Sequence, residues 1–77
     1  MKIDALIKMA NQIGAFFAAE GGDDHPEEAA KLVATHLRRY WEPRMRSQMI
    51  EYFKTNGGEG LDPTARNGVA MLADGKV

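Results

Sequence analysis

Apolar residues recur near the start of the chain at spacings of three and four residues. They are Ile3, Leu6, Ile7, Ala10, Ile13 and Phe17, and Met9 and Phe16 widen the same stripe. This period is typical of one face of an α-helix. The pattern predicts a first helix over about residues 3–20, ended by Gly21-Gly22, because glycine adopts the left-handed conformation that closes a helix.

A second helix is predicted over about residues 27–41. Its start signal is the acidic segment 23–28, which contains Pro26; proline suits the first helical turn, and carboxylates there favour the positive end of the helix dipole. The apolar stripe of this helix consists of Ala29, Val33, Leu37, Tyr40 and Trp41, with Leu32 and His36 on the neighbouring face.

Pro43 predicts a sharp corner between the second helix and a third. Glu42 is disfavoured in the helical conformation because it precedes a proline, whereas Pro43 itself suits the start of a new helix. The third helix is predicted over about residues 43–55, before Asn56-Gly57-Gly58. Its apolar side carries Met45, Met49, Tyr52 and Phe53, with Ile50 beside them.

A fourth, short helix is predicted over about residues 63–73, with Asp62 as its N-cap and Pro63 as its first residue. Asn67-Gly68 lowers its helix propensity, and the last few residues are expected to fray. No segment alternates strictly between apolar and polar residues as a half-buried strand does. The sequence therefore predicts an all-α fold: a small bundle of three to four short helices, in one domain over residues 1–77, with a proline-induced corner between helices 2 and 3.

The composition limits how this bundle is stabilised. The chain has 77 residues, 44% of them hydrophobic, and no cysteine, so it contains neither a disulfide nor a thiolate metal site. A chain of this length buries only about 60% of its unfolded surface, so we expect at least one apolar patch to need a partner. The formal net charge of −1 does not favour nucleic acid or an anionic membrane. The apolar run 13–19 is too short to span a bilayer, and we expect a cytoplasmic protein.

The segment 36–46 is the richest in candidate chemistry, with four arginines, two aromatic residues and a proline. Arginine, tryptophan and tyrosine dominate the hot spots of protein interfaces. An equally good interpretation places both aromatic rings in the core and the arginines on a solvated face, and phosphate binding is a third. The predicted partner-binding residues are Arg38, Arg39, Tyr40, Trp41, Pro43, Arg44, Arg46 and Asp62.

Other residue patterns do not indicate catalysis or metal binding. His25 and His36 are the only histidines, and the acidic residues near His25 are better explained as a match to the helix dipole. Ser47 is the only serine, and neither histidine lies in a recognisable triad context. The segment Gly57-Gly58-Glu59-Gly60 lacks the Lys-Ser/Thr of a phosphate-binding loop. We therefore predict no catalytic, cofactor-binding or metal-binding residue in this chain.

Several segments of the sequence resemble one known family in their residues, their order and their spacing. They are Met9-Ala10-Asn11-Gln12-Ile13, Ala15-Phe16-Phe17, the whole of 36–46, and Gly58-Glu59-Gly60-Leu61-Asp62-Pro63, followed by Arg66 and Val69-Ala70. In these segments the chain resembles the delta subunit of NAD-dependent formate dehydrogenase, over roughly Leu6 to Leu72. The loop at Asp23-Asp24-His25 and the extra Gly68 depart from the resemblance at positions that we expect to vary.

The resemblance implies membership of a cytoplasmic complex. Its catalytic alpha subunit would carry a molybdenum or tungsten bis-pterin cofactor and iron–sulfur clusters, with flavin and NAD handled by other subunits. This chain would be a non-catalytic accessory subunit that docks on the alpha subunit and supports assembly, cofactor retention or activity. The alternatives are a transient maturation factor that binds the bis-pterin guanine dinucleotide cofactor or a chaperone, and, third, a small nucleic-acid-binding regulator. A homodimer of the free chain is a further expectation.

Overall fold

The computed structural model describes residues 2–22 and 24–75, and this part of the chain forms four α-helices and no strand. The helices are α1 (Ile3–Phe17), α2 (Pro26–Tyr40), α3 (Pro43–Asn56) and α4 (Pro63–Ala73). The all-α prediction is confirmed. Asp23, in the predicted start of the second helix, lies outside the described residues, as do Lys76 and Val77 at the end that was expected to fray. None of the described helices is long and apolar enough to cross a membrane.

Helix α1 is followed directly by a wider turn. The regular α-helix covers Ile3–Phe17, and the chain continues as this wider turn over Ala18–Gly22. Glu20 and Gly21 leave helical geometry there, and Gly21 has a φ of +111°. Side chains with a Cβ avoid this conformation, so Gly21 reverses the chain where the sequence predicts an end.

Proline begins three of the four helices, namely α2, α3 and α4. A proline loses nothing at this position, because the first backbone N–H groups of a helix have no intrahelical acceptor. At the corner before Pro43, both Trp41 and Glu42 are extended, with ψ angles of 138° and 158°. The predicted proline corner is therefore present, and it consists of two extended residues between α2 and α3.

The core is built from apolar side chains of all four helices and the segments between them. Its buried members are Leu6, Ala10, Val33, Leu37, Trp41, Met49, Leu61, Ala65 and Val69. None of the described buried side chains is polar or charged.

Two glycines allow the helices to approach each other closely at this core. A Cβ placed on Gly14 of α1 would lie 3.0 Å from the Ala65 backbone nitrogen of α4.

Gly68 has a role in packing that its sequence context does not suggest. A Cβ at this position would lie 2.5 Å from Cγ1 of Val33 and 3.0 Å from the backbone oxygen of Ala30. Gly68 is therefore the point where α4 rests against α2. The interpretation of Gly68 as a mild departure at a variable position overlooked this contact, because the sequence alone does not show which residues of α2 face it.

Candidate partner-binding surface

The corner between α2 and α3 is closed by an arginine. Nη1 of Arg46, on the first turns of α3, donates a hydrogen bond to the backbone oxygen of Arg38 near the end of α2. The last carbonyl groups of a helix have no partner within the helix, so Arg46 satisfies one of them. Arg46 is half-buried and connects the two helices across the corner. Of the predicted contacts, this residue therefore already has a structural role within the chain.

The two aromatic residues of the corner are divided between core and surface. Trp41 is only 5% exposed and belongs to the core, whereas Tyr40 is 70% exposed. Trp41 follows the buried Leu37 by four residues and so continues the buried side of α2, whereas Tyr40 lies on the exposed side. The interpretation of these rings as core residues holds for Trp41, whereas the ring of Tyr40 is exposed on the surface.

The other corner arginines are exposed, as are Glu42 and Pro43. Arg38 and Arg46 line a shallow cleft of about 430 Å³ together with Leu72 and Gly75, at the end of α4. Arg39 and Arg44 make no hydrogen bond or ion pair with the part of the chain that the structure describes. Arg46 thus closes the corner, Arg38 and Arg46 line the cleft, and Arg39 and Arg44 have no bonding partner among the described residues.

Asp62 lies at the N-cap of α4, as predicted, but its side chain makes no capping hydrogen bond. Instead its backbone N–H donates to Oδ1 of Asn11 over 2.8 Å, and Nδ2 of Asn11 donates to the backbone oxygen of Gly60 over 2.9 Å. Tyr52 also donates from its hydroxyl to the backbone oxygen of Glu59, over 2.7 Å. The loop before α4 is therefore held by side chains of α1 and α3, and the Asp62 carboxylate is exposed.

The sequence interpretation assigned no role to Asn11. The available signal was its position: a polar side chain within the apolar stripe of α1, inside one of the segments that carry the family resemblance. Its two hydrogen-bond partners, the backbone oxygen of Gly60 and the backbone N–H of Asp62, lie about fifty positions further along the chain. Only the tertiary structure shows that Asn11 bridges them.

A second surface, which we call the aromatic face, lies on α1 and α2. Ring centroids are 5.2 Å apart for Phe16 and Phe17, 6.2 Å for Phe17 and His36, and 4.8 Å for His36 and Tyr40. Phe16 and Leu32 are 59% and 47% exposed. The members of the aromatic face are Ile13, Phe16, Phe17, Leu32, His36 and Tyr40.

A shallow, largely apolar hollow of about 310 Å³ opens on this face between Ile13, Phe16, Phe17 and His36, with Gln12 at its edge. The sequence predicts an uncovered apolar patch, and the structure exposes one on the aromatic face. Of its residues, only Tyr40 was among the predicted contacts. The placement of Leu32 and His36 beside the main stripe of α2 was the signal for the rest.

Metal ligands are not grouped in the described residues: no three His, Cys, Asp or Glu side chains lie close enough together to hold an ion. The carboxylates at the start of α2 are exposed. The prediction that this chain contributes no catalytic or cofactor-binding residue stays a prediction.

Comparison with known proteins identifies the family. The FdsD family, described as the NADH-dependent formate dehydrogenase delta subunit, matches residues 5–69. The match includes the corner, the aromatic face and the loop held by Asn11. No curated protein and no solved structure matches the chain. Since the family covers most of its 77 residues, the chain belongs to the FdsD family of formate dehydrogenase delta subunits.

Proposed function

We propose that this chain is a non-catalytic accessory subunit of a cytoplasmic NAD-dependent formate dehydrogenase, and that it docks on the catalytic alpha subunit. The family match over residues 5–69 carries this proposal. Docked there, the chain supports assembly, cofactor retention or activity. The molybdenum or tungsten bis-pterin, the iron–sulfur clusters, the flavin and the NAD site belong to the other subunits.

The exposed side chains of the corner are the proposed contacts. Arg38, Arg39 and Arg44 are exposed, and the planar guanidinium group pairs with carboxylates through two parallel hydrogen bonds. Tyr40 adds a large exposed ring, and Asp62 an exposed carboxylate on the loop before α4. The remaining predicted residues act indirectly: Trp41 from the core, Pro43 by starting α3, and Arg46 through its bond to α2.

Purification through a tag on this chain tests the proposal. The wild-type chain should recover formate dehydrogenase that reduces NAD with formate. A double variant, Arg39→Ala with Arg44→Ala, should lose the enzyme. Each arginine, if desolvated at an interface, contributes about 2–4 kcal/mol, or about 30-fold to 1,000-fold in affinity.

The matched control removes two exposed lysines far from the corner in sequence, Lys8→Ala with Lys54→Ala, and so makes the same change in net charge. This control should recover the enzyme as the wild type does. Normal recovery by the arginine variant would contradict the assignment of these contacts. Equal loss by both variants would show an effect of net charge instead of specific contact.

A second candidate function is a transient maturation factor for the bis-pterin cofactor. The cleft lined by Arg38 and Arg46 favours it, because two guanidinium groups beside an open hollow suit phosphate oxygens. A maturation factor associates substoichiometrically with the enzyme. Titration of the purified chain with the guanine dinucleotide cofactor at low and high salt tests it, and absence of salt-sensitive binding rejects it.

Self-association of the free chain, the other partner expected from the sequence, is also proposed. It draws on a different observation, the exposed rings of the aromatic face.

A further inference from the structure

We infer that two copies of the free chain pair antiparallel through the aromatic face, with Glu28 of each copy opposite Arg39 of the other. This inference specifies the surface and geometry of the proposed self-association, and it does not depend on docking to the enzyme. It rests on exposure, helix geometry and charge.

The exposed apolar side chains are concentrated on one side of the molecule. Among the described residues, the large hydrophobic side chains classed as exposed are Phe16, Leu32 and Tyr40. The first and last are linked through the rings of Phe17 and His36. Isolated exposed apolar residues are normal on soluble proteins, whereas a contiguous patch marks a contact surface.

Two exposed and oppositely charged residues of α2, Glu28 and Arg39, lie near opposite ends of this helix, on the same side as Leu32. Glu28, Leu32, Thr35 and Arg39 follow at spacings of four, three and four residues, which places them on one side of the helix. At a rise of about 1.5 Å per residue, Glu28 and Arg39 are roughly 16 Å apart along the helix. Glu20 reinforces the acidic end, since it lines the same small hollow as Glu28 and Leu32.

This arrangement is complementary to itself. In a twofold contact the same surface is used by both copies, so an antiparallel pair of α2 helices brings Glu28 opposite Arg39 twice. The same operation places Leu32 opposite Thr35, at the centre of the pair. A parallel pair would oppose like charges instead. Neither Glu28 nor Arg39 has an ion-pair partner within residues 2–22 and 24–75, so both are available.

The size of the surface predicts a weak dimer. The exposed parts of Phe16, Leu32 and Tyr40 provide roughly 300 Å² of apolar surface per copy, given ~150–250 Å² for a large aromatic side chain. The total lies below the ~1,200 Å² of a standard stable interface. Association should therefore depend on protein concentration and, because of the ion pairs, weaken with added salt.

Sedimentation velocity of the purified full chain at low salt, over a range of concentrations, tests this pairing. Glu28→Arg alone and Arg39→Glu alone should each raise the dimer Kd by about tenfold, because each turns two attractive pairs into repulsive ones. The double variant exchanges the charges and should restore the wild-type Kd. Glu51→Arg and Lys54→Glu, on exposed positions of α3, are controls that should leave the Kd unchanged.

Two results would overturn the inference. One is a chain that stays monomeric up to about 1 mM; the other is a double variant that associates as weakly as the single ones. Circular dichroism of each variant checks that its helices are intact. Because no enzyme is present, the outcome is separate from that of the purification experiment, and either proposal can fail alone.

Discussion

Substitution of Gly68 by alanine should destabilise the chain, although alanine is the better helix former. The added Cβ would lie 2.5 Å from Cγ1 of Val33 and 2.6 Å from its Cβ. Carbon atoms pack best at about 3.5–4.0 Å, so α4 must move away from α2 by about 1 Å. The nearby oxygen of Ala30 is backbone, at 3.0 Å from the added Cβ, and cannot rotate aside.

The expected cost follows from two opposing terms. Insertion of a methyl group into a packed core costs about 1–3 kcal/mol, and contacts this short favour the upper end. The gain in helix propensity from glycine to alanine is about 1 kcal/mol. The free energy of unfolding should therefore fall by about 2 kcal/mol, which for a chain of this size lowers Tm by about 10 °C.

Thermal unfolding of the purified chain, followed by circular dichroism, measures this change. Asn67→Ala is the matched control, because Asn67 is the exposed neighbour on the same helix and gains propensity without a clash. The control should be equal to the wild type or slightly more stable. A Gly68→Ala variant as stable as the control would refute the close contact between α2 and α4.

Three further predictions test other parts of the structure by thermal unfolding, and one of them also by amide exchange. Arg46→Ala removes the bond across the corner and should lower the free energy of unfolding by about 1 kcal/mol. Its control, Arg44→Ala on the same helix, should change this free energy by less than about 0.5 kcal/mol. Equal effects of the two substitutions would contradict the corner bond. Asn11→Ala removes two hydrogen bonds and should lower the free energy of unfolding by about 1–2 kcal/mol. Amide exchange in the loop 57–62 should become faster, and unchanged exchange there would contradict the bridge. Trp41→Ala should lower the free energy of unfolding by about 3–5 kcal/mol and leave little folded chain, while Tyr40→Ala should be nearly neutral. The reverse order would contradict the burial of Trp41 and the exposure of Tyr40.

The helix starts were the most predictable part of the fold, because their signals are local. Pro26, Pro43 and Pro63 each begin a helix, and proline itself prefers that position. The change from regular α-helix to a wider turn after Phe17 was not predictable, since the apolar pattern continues into that turn. A pattern of side chains shows which face is buried but not where the backbone leaves helical geometry.

The candidate site was predictable in composition but not in geometry. The corner is present, yet the sequence interpretation placed Tyr40 and Trp41 on one stripe, whereas only Trp41, four residues after Leu37, enters the core. The bond from Arg46 depends on the direction in which α3 leaves α2 at the corner, and the Asn11 bridge depends on contacts between distant segments. Such information comes from tertiary packing, which the spacing of residues along the chain does not contain.

We propose that this chain is a stoichiometric subunit of formate dehydrogenase bound to the alpha subunit. Native mass spectrometry of the enzyme, purified through a tag on this chain, tests it most directly. The account predicts a particle with one copy of the chain for each alpha subunit, and this particle reduces NAD with formate. Recovery of only a cofactor-free alpha subunit or a chaperone, or of the tagged chain alone, would contradict it.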